Sequence, residues 1–229
     1  MRLLGVVFAG GLSSRMGQPK ALLPWPAPGG GEVPLLLRAV HWLQGPCVSV
    51  EIAAGAQWGT ICKGLPTGSS GPLQVIDDAE PGIGPLGGLV AALERSVALG
   101  LDGTLVLACD MPLVEEEDVL PLIERVADGA DVALWCVEGY DQPLCAVFGP
   151  RAAQAARSAL ARKARRPVAI FDEIVADGRP LHVERLNPGE NSRIRLMNVN
   201  TPSDYDLAIR RFHECQGRSA SSPSGPDCR

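Results

Sequence analysis

Leu3-Leu4-Gly5-Val6-Val7-Phe8-Ala9-Gly10-Gly11-Leu12-Ser13-Ser14-Arg15-Met16-Gly17-Gln18-Pro19-Lys20 is the stretch on which the reading of this chain turns. It opens with a short apolar run dense in branched and aromatic residues, which suits a strand buried on both faces. The run breaks into two glycines, two hydroxyls, an arginine, a third glycine and a lysine. Glycines let a backbone approach an anion closely, and successive free N–H groups form an anion-binding concavity. A strand running into a phosphate loop is the expectation. Taken one at a time, these features also fit an ordinary turn with solvated cations. Two familiar phosphate motifs are absent: Gln18-Pro19 separates Gly17 from Lys20, and the glycines do not follow G-x-G-x-x-G.

The 229 residues suit one large α/β domain better than two small ones. Hydrophobic residues make up 46% and aromatics only 4%, so the core must be built mainly from Ala, Val and Leu. A net charge of −5 speaks against a general nucleic-acid binder, and anionic ligands must be met by local cations such as Arg15 and Lys20. The seven cysteines form no C-x-x-C pair and their number is odd, which disfavours a metal site or a disulfide framework. Reduced thiols in the cytoplasm are the expectation. Arg2 before an apolar run faintly imitates a secretory leader, but no A-x-A site follows and no stretch is long enough for a membrane span.

Along the chain, Pro26–Gly31 reads as a surface turn without strand character, and Val33–Leu43 as a helix with Pro34 in its first turn. Strands are expected at Cys47–Ala54, Leu73–Ile76, Thr104–Ala108, Asp131–Val137 and Pro143–Phe148, the last antiparallel, with a late strand at Leu181–Leu186. Helices are expected at Gln57–Leu65, Pro85–Leu99, Glu115–Ala127, Arg151–Ala164, Val168–Val175 and Ser203–Cys215. Residues 1–215 form the domain; 216–229, rich in Ser, Gly and Pro, read as a disordered tail. The alternation describes a single Rossmann-like α/β domain, a mostly parallel sheet with helices on both faces.

In such sheets ligands bind beyond the carboxyl ends of the strands. The Gly10–Lys20 loop, Asp77-Asp78 with the Gly82–Gly88 loop, and Cys109-Asp110 all lie just past strand ends and can meet on one edge. Asp110, closing an apolar strand, is placed to hold a Mg²⁺ that bridges substrate phosphates; its competing reading is a cap on the next turn. Asp78 is a second carboxylate candidate. His41, His182 and His213 lie outside these loops, so histidine acid–base chemistry is not expected.

The pattern G-G-x-S-x-R-M-G-x-x-K at Gly10–Lys20 resembles the loop of the sugar-phosphate-type nucleotidyltransferases, whose members share the nucleotide-diphospho-sugar transferase fold. Further pieces follow in order: Asp77-Asp78, Gly84-Pro85-Leu86-Gly87-Gly88-Leu89, Cys109-Asp110-Met111-Pro112, Gln142-Pro143-Leu144 and Asn198-Val199-Asn200-Thr201-Pro202. Together, over roughly Leu3–Phe212, they resemble the molybdenum cofactor guanylyltransferases. The resemblance implies transfer of GMP from GTP to the terminal phosphate of molybdopterin carrying molybdenum. It implies GTP on Phe8, Ala9, Gly10, Gly11, Lys20, Asp78 and Asp110, with Asp110 as Mg²⁺ ligand and Arg15, Lys20 and Asp110 catalytic. Asn198 and Asn200 would lie at the pterin end. The implied protein is a cytoplasmic monomer, with cofactor-assembly and recipient enzymes as partners. One departure stands out: the family's asparagine after the second strand is Ala53 here, with Gln57 as a substitute contact. Alternatives are a cytidylyltransferase on the same cofactor, another nucleotidyltransferase, or a non-catalytic protein that binds and delivers the cofactor.

Overall fold

The computed structural model describes residues 1–10, 16–27, 29–66, 73–80 and 82–219. Its centre is strand β1 (Leu3–Phe8), all six residues of which are buried. Alternation divides them between two cores: Leu4, Val6 and Phe8 face one side of the sheet, Leu3 and Val7 the other. Around it lie β4 (Ser49–Ala53), β5 (Gln74–Ile76), β6 (Gly103–Ala108), β7 (Val132–Val137), β8 (Tyr140–Phe148) and β9 (Val183–Leu186). The sheet order is β5-β4-β1-β6-β8-β7-β9, with β8 antiparallel to both neighbours and the other pairings in register parallel. The mostly parallel α/β sheet expected from the sequence is therefore present.

Helices α3 (Pro85–Ala98) and α5 (Arg151–Ala161) cover one face. Helices α1 (Leu35–Leu43), α2 (Trp58–Gly64) and α4 (Glu116–Ala127) cover the other. The acidic start of α4 is a reciprocal capping box, in which Glu115 and Asp118 satisfy each other's backbone N–H groups. Glu51, an anomaly in an apolar strand, is buried and accepts a hydrogen bond from Arg95 on α3 at 3.1 Å.

Several expectations are corrected. The turn expected at Pro26–Gly31 joins an unforeseen hairpin: β2 (Pro24–Pro26) pairs antiparallel with β3 (Glu32–Pro34), so α1 begins at Leu35, not Val33, and Pro34 precedes it in an extended conformation. This hairpin exists because Trp25, paired with Val33, is drawn out of water. Trp25 packs edge-on against Tyr205 and Phe212 of α7 (Pro202–Ser219), at centroid separations of 6.4 and 5.5 Å. The Tyr205 hydroxyl in turn donates to the Pro24 carbonyl. With Leu23, Leu35, Leu113, Val199 and Ala208 these rings form a third, smaller core. Helix α7 runs four residues beyond Cys215, into what reads as tail; 220–229 lie outside the described residues.

Val168–Val175 is not a helix. Only Pro167–Ile170 makes a 3-10 turn, after which Ile170 and Phe171 enter the core and Ile174 bridges to Pro180. Conversely, α6 (Glu190–Arg195) has no apolar periodicity to announce it; its acid comes first and its bases last, favourable to the helix dipole. Among the described residues no helix is long and apolar enough to cross a membrane, and Cys47, Cys62, Cys109, Cys136 and Cys145 are free thiols.

Replacing Trp25 by Ala should cost about 3–5 kcal/mol, the scale for deleting a buried aromatic. Trp25→Phe should cost far less, because the indole N–H has no hydrogen-bond partner among the described residues. Urea titration reads both as shifts of midpoint at constant slope; equal losses would show that the indole nitrogen matters more than the ring.

Candidate active site

The carboxyl ends of β1, β4 and β6 are locked together beyond their last paired residues. Ala9 N–H donates to the Ala53 carbonyl at 3.0 Å, and Cys109 N–H to that of Phe8 at 2.9 Å. Above this floor opens a cavity of about 520 Å³. It is walled by Phe8-Ala9-Gly10, by the Ala53–Gln57 segment, by Ala108-Cys109-Asp110, and by Gly82, Gly84 and Gly88 at the start of α3. Its size is that of a small-molecule site. Its place, where the connection after β1 leads to β4 on one side and that after β6 leads to β7 on the other, is where such sheets bind ligands.

One further wall comes from an irregularity. The β7–β8 pairing slips between Leu134 and Cys136, leaving residues 142–144 without a partner on β7. Pro143, which has no N–H for a ladder, sits in this released stretch. Leu144 lines the cavity. A bulge re-aims a side chain in this way.

At the β6 side of the cavity, Lys20 is held between two acceptors. Its Nζ donates to Asp110 Oδ2 at 2.9 Å and to Asn200 Oδ1 at 2.6 Å. The Asn198–Asn200 turn is fixed from behind, because Val199 N–H donates to the Asp110 carbonyl at 2.8 Å. Asp204 then anchors the start of α7, accepting from Asn200 and Thr201 N–H at 3.0 and 2.8 Å. Residues 20, 110 and 200 thus converge although 90 and 180 positions separate their pairs. Cys109 beside them is no nucleophile: burial, reinforced by the Asp110 charge, pushes its thiol far up and keeps it neutral.

At the β5 side, Asp78 leans against backbone. A Cβ on Gly55 would stand 2.6 Å from Asp78 Oδ2, and one on Gly88 would stand 3.2 Å from Oδ1 and from Phe8 Cε1. Gly55 also has φ +49°, in the region that favours glycine. Burial, and then the Asp77 charge, raise the Asp78 carboxyl above the ordinary carboxylate range.

Of the residues singled out in the sequence, Phe8, Ala9, Gly10, Lys20, Asp78 and Asp110 line this cavity, as do both Ala53 and Gln57. Asn200 joins through Lys20. Asn198 is half-buried and makes no hydrogen bond among the described residues. Gly11 and Arg15 lie outside the described residues. Gly55 went unnoticed in the sequence, although a glycine directly after a strand end was the available signal. Arg165, also unnoticed, passes the rim: its carbonyl lies 3.8 Å from where a Gly84 Cβ would be.

Residues 5–175 match the MobA-like NTP transferase domain. The chain belongs to this family. It is 33% identical over 204 residues to a probable molybdenum cofactor guanylyltransferase of Pelotomaculum thermopropionicum, covering 89% of this chain and 90% of that one. A Bacillus subtilis protein of the same description is 29% identical over 214 residues, covering 90% and 94%. Among solved structures, molybdopterin-guanine dinucleotide biosynthesis protein A of Archaeoglobus fulgidus superposes with a TM-score of 0.70 at 21% identity, covering 93% of this chain and all of that one. A 4-diphosphocytidyl-2C-methyl-D-erythritol synthase of Anaerococcus prevotii superposes at 0.63 with 12% identity, covering 93% and 96%. These superpositions show a shared fold. Membership of the family makes this chain a nucleotidyltransferase.

Two substitutions test the Asp78 end. Gly55→Ala should displace the carboxylate and weaken nucleotide binding in calorimetry while leaving the circular dichroism spectrum unchanged; wild-type affinity would show that the Gly55–Asp78 contact is idle. Asp78→Asn should raise the thermal midpoint at neutral pH. A carboxyl whose folded pKa is raised favours folding only while protonated, so its contribution fades as pH climbs from the unfolded value through the folded one. The gain should therefore vanish as pH falls below the ordinary carboxylate range. A pH-independent gain would contradict a desolvated charge.

Proposed function

We propose that this protein transfers GMP from GTP to the terminal phosphate of molybdopterin carrying molybdenum, releasing pyrophosphate. The observation that carries the reading is the Lys20–Asp110–Asn200 junction. It ties the lysine of the phosphate loop to the Asn198–Asn200 turn, so a donor and an acceptor can be held by one cluster. The names of the curated relatives support guanine and the pterin cofactor. The fold alone does not, since a cytidylyl enzyme shares it.

The cavity orders the donor. Backbone at Ala9 and Gly10 takes the phosphates, and Lys20, held at the cavity wall by Asp110 and Asn200, meets the negative charge that arrives. At the far end Gln57, whose amide both donates and accepts, reads the base in place of the side chain missing at Ala53. Arg165 and Arg166, exposed and without partners among the described residues, offer charge to the acceptor phosphate at the rim. An oxygen of that phosphate attacks the α-phosphorus; one P–O bond forms as the bond to the β-phosphate breaks, and pyrophosphate leaves. No side-chain nucleophile is required. Lys20, positioned in advance at the charge that develops, stabilises the transition state.

The donor set at Asp110 fits Mg²⁺, which takes one or two carboxylates and completes its shell with water and phosphate oxygens. Asp110 has an oxygen left over: Oδ1 accepts no hydrogen bond among the described residues. Bound there, the ion would neutralise triphosphate and leaving group. The setting for this chemistry is the cytoplasm, where the thiols stay reduced.

A nucleotide panel with molybdopterin and Mg²⁺ tests the reading: pyrophosphate release should require GTP, and turnover with CTP alone would overturn it. Lys20→Ala should weaken GTP binding by about 1.5–3 kcal/mol, the scale for hydrogen bonds to charged groups. Asp110→Ala should abolish turnover; unimpaired dinucleotide formation by that variant would overturn the metal-holding role given to Asp110.

A further inference from the structure

Asp118 has no exposed surface, and nothing in the chemistry above uses it. Arg195 grips it with both prongs of the guanidinium, Nε to Oδ2 at 2.7 Å and Nη2 to Oδ1 at 2.8 Å. Arg195 is itself held by Glu117 at 2.6 Å and by the Ser192 hydroxyl at 3.2 Å. Asp118 also accepts from Glu115 N–H at 3.1 Å, and its carbonyl accepts from Trp135 Nε1 at 2.7 Å. One residue therefore ties the start of α4 to β7 and to α6.

The two ends of this pair both lead to the site. From Asp118 the chain runs back through the Met111–Glu115 segment to Asp110. From Arg195 it runs forward four residues to Val199, whose N–H donates to the Asp110 carbonyl, and then to Asn200 on Lys20. The ring is closed by hydrogen bonds at both ends. A buried ion pair is a poor source of net stability, since desolvation offsets most of the attraction. A bidentate fork nevertheless fixes distance and angle together, which a lysine's point charge does not.

We infer that Arg195 is a positioning residue: its fork on Asp118 sets the place of the Asn198–Asn200 turn and so holds Lys20 and Asn200 in register with Asp110. The kinetic consequence rests on the proposed transfer to an acceptor; the effect on Lys20 does not.

The chain has three lysines, and Lys63 and Lys163 are exposed. Reductive methylation followed by peptide mass spectrometry reads Lys20 against these two internal standards. Arg195→Ala leaves a buried carboxylate unpaired and risks unfolding. The double change Asp118→Asn with Arg195→Gln leaves no buried charge and keeps an acceptor for Glu115 N–H. In that double variant, folded by circular dichroism, Lys20 should methylate several-fold faster than in the wild type, with Lys63 and Lys163 unchanged. Arg195→Lys should not restore protection. With GTP and molybdopterin, kcat should fall and the KM of both substrates should rise, since Lys20 meets the one and Asn200 the other. Wild-type Lys20 protection in the double variant would overturn the inference. A wild-type enzyme without turnover would tell against the guanylyl reading, and Lys20 reactivity would still decide the role of Arg195.

Discussion

Burial of β1 on both faces is the constraint from which the rest follows. A strand with six consecutive buried residues cannot carry a charge without a partner, and the strands beside it obey the same rule apart from Glu51, which has Arg95. Polar chemistry is pushed to where the strands end. There the ladder continues one hydrogen bond further, through Ala9 to Ala53 and Cys109 to Phe8, so the floor of the cavity is as rigid as the sheet. Asp110 is therefore displayed from a fixed edge, and Lys20 is held to it through the Asp110 and Asn200 hydrogen bonds.

The two ends of the cavity are built on different physics. At the Lys20 end, opposite charges and an amide satisfy one another until a ligand arrives. At the Asp78 end, a carboxylate is pressed against glycine backbone next to a second acid, and its charge is disfavoured. The first end is stable when empty. The second is under electrostatic tension that a hydrogen-bond donor on a ligand would relieve. Sites retain such costs where function needs them.

How much was legible in the sequence follows from where the determining contacts lie. β1, β6, α3 and α4 carry local signals: continuous apolar runs, Pro85 in a first turn, and acids at a helix start. Their bounds hold to within a residue or two. The strand-end rule gathered Asp78, Asp110 and the Gly82–Gly88 loop correctly on one edge because it depends on chain direction alone. The β2–β3 hairpin was not legible, since its reason is Trp25 meeting α7 nearly 180 residues later. Helix α6 was not legible either: five polar residues and one isoleucine acquire a reason to be helical only through Arg195 and a buried acid 77 positions away. At Val168–Val175 the spacing of apolar residues fitted a helix, but Ile170 and Phe171 are buried from an irregular segment.

The same distinction explains why donor chemistry is easier to read than donor identity. Phosphates are met by backbone and by a cation, so the loop must keep its glycines and its lysine whatever base is attached. Enzymes of different nucleotides can then share one sheet, as the superposition with a cytidylyl synthase at 12% identity illustrates. In the proposed reading the base is met by side chains on the Ala53–Gln57 segment, which lines the cavity and where a single substitution changes hydrogen-bonding capacity. Ala53 contributes a methyl group and no polar atom, whereas Gln57, four residues on, brings an amide to the same cavity wall. Because Gly55 between them must remain small to admit Asp78, the segment has few other ways to supply a polar contact. In the proposed reading the choice of base is therefore concentrated on Gln57.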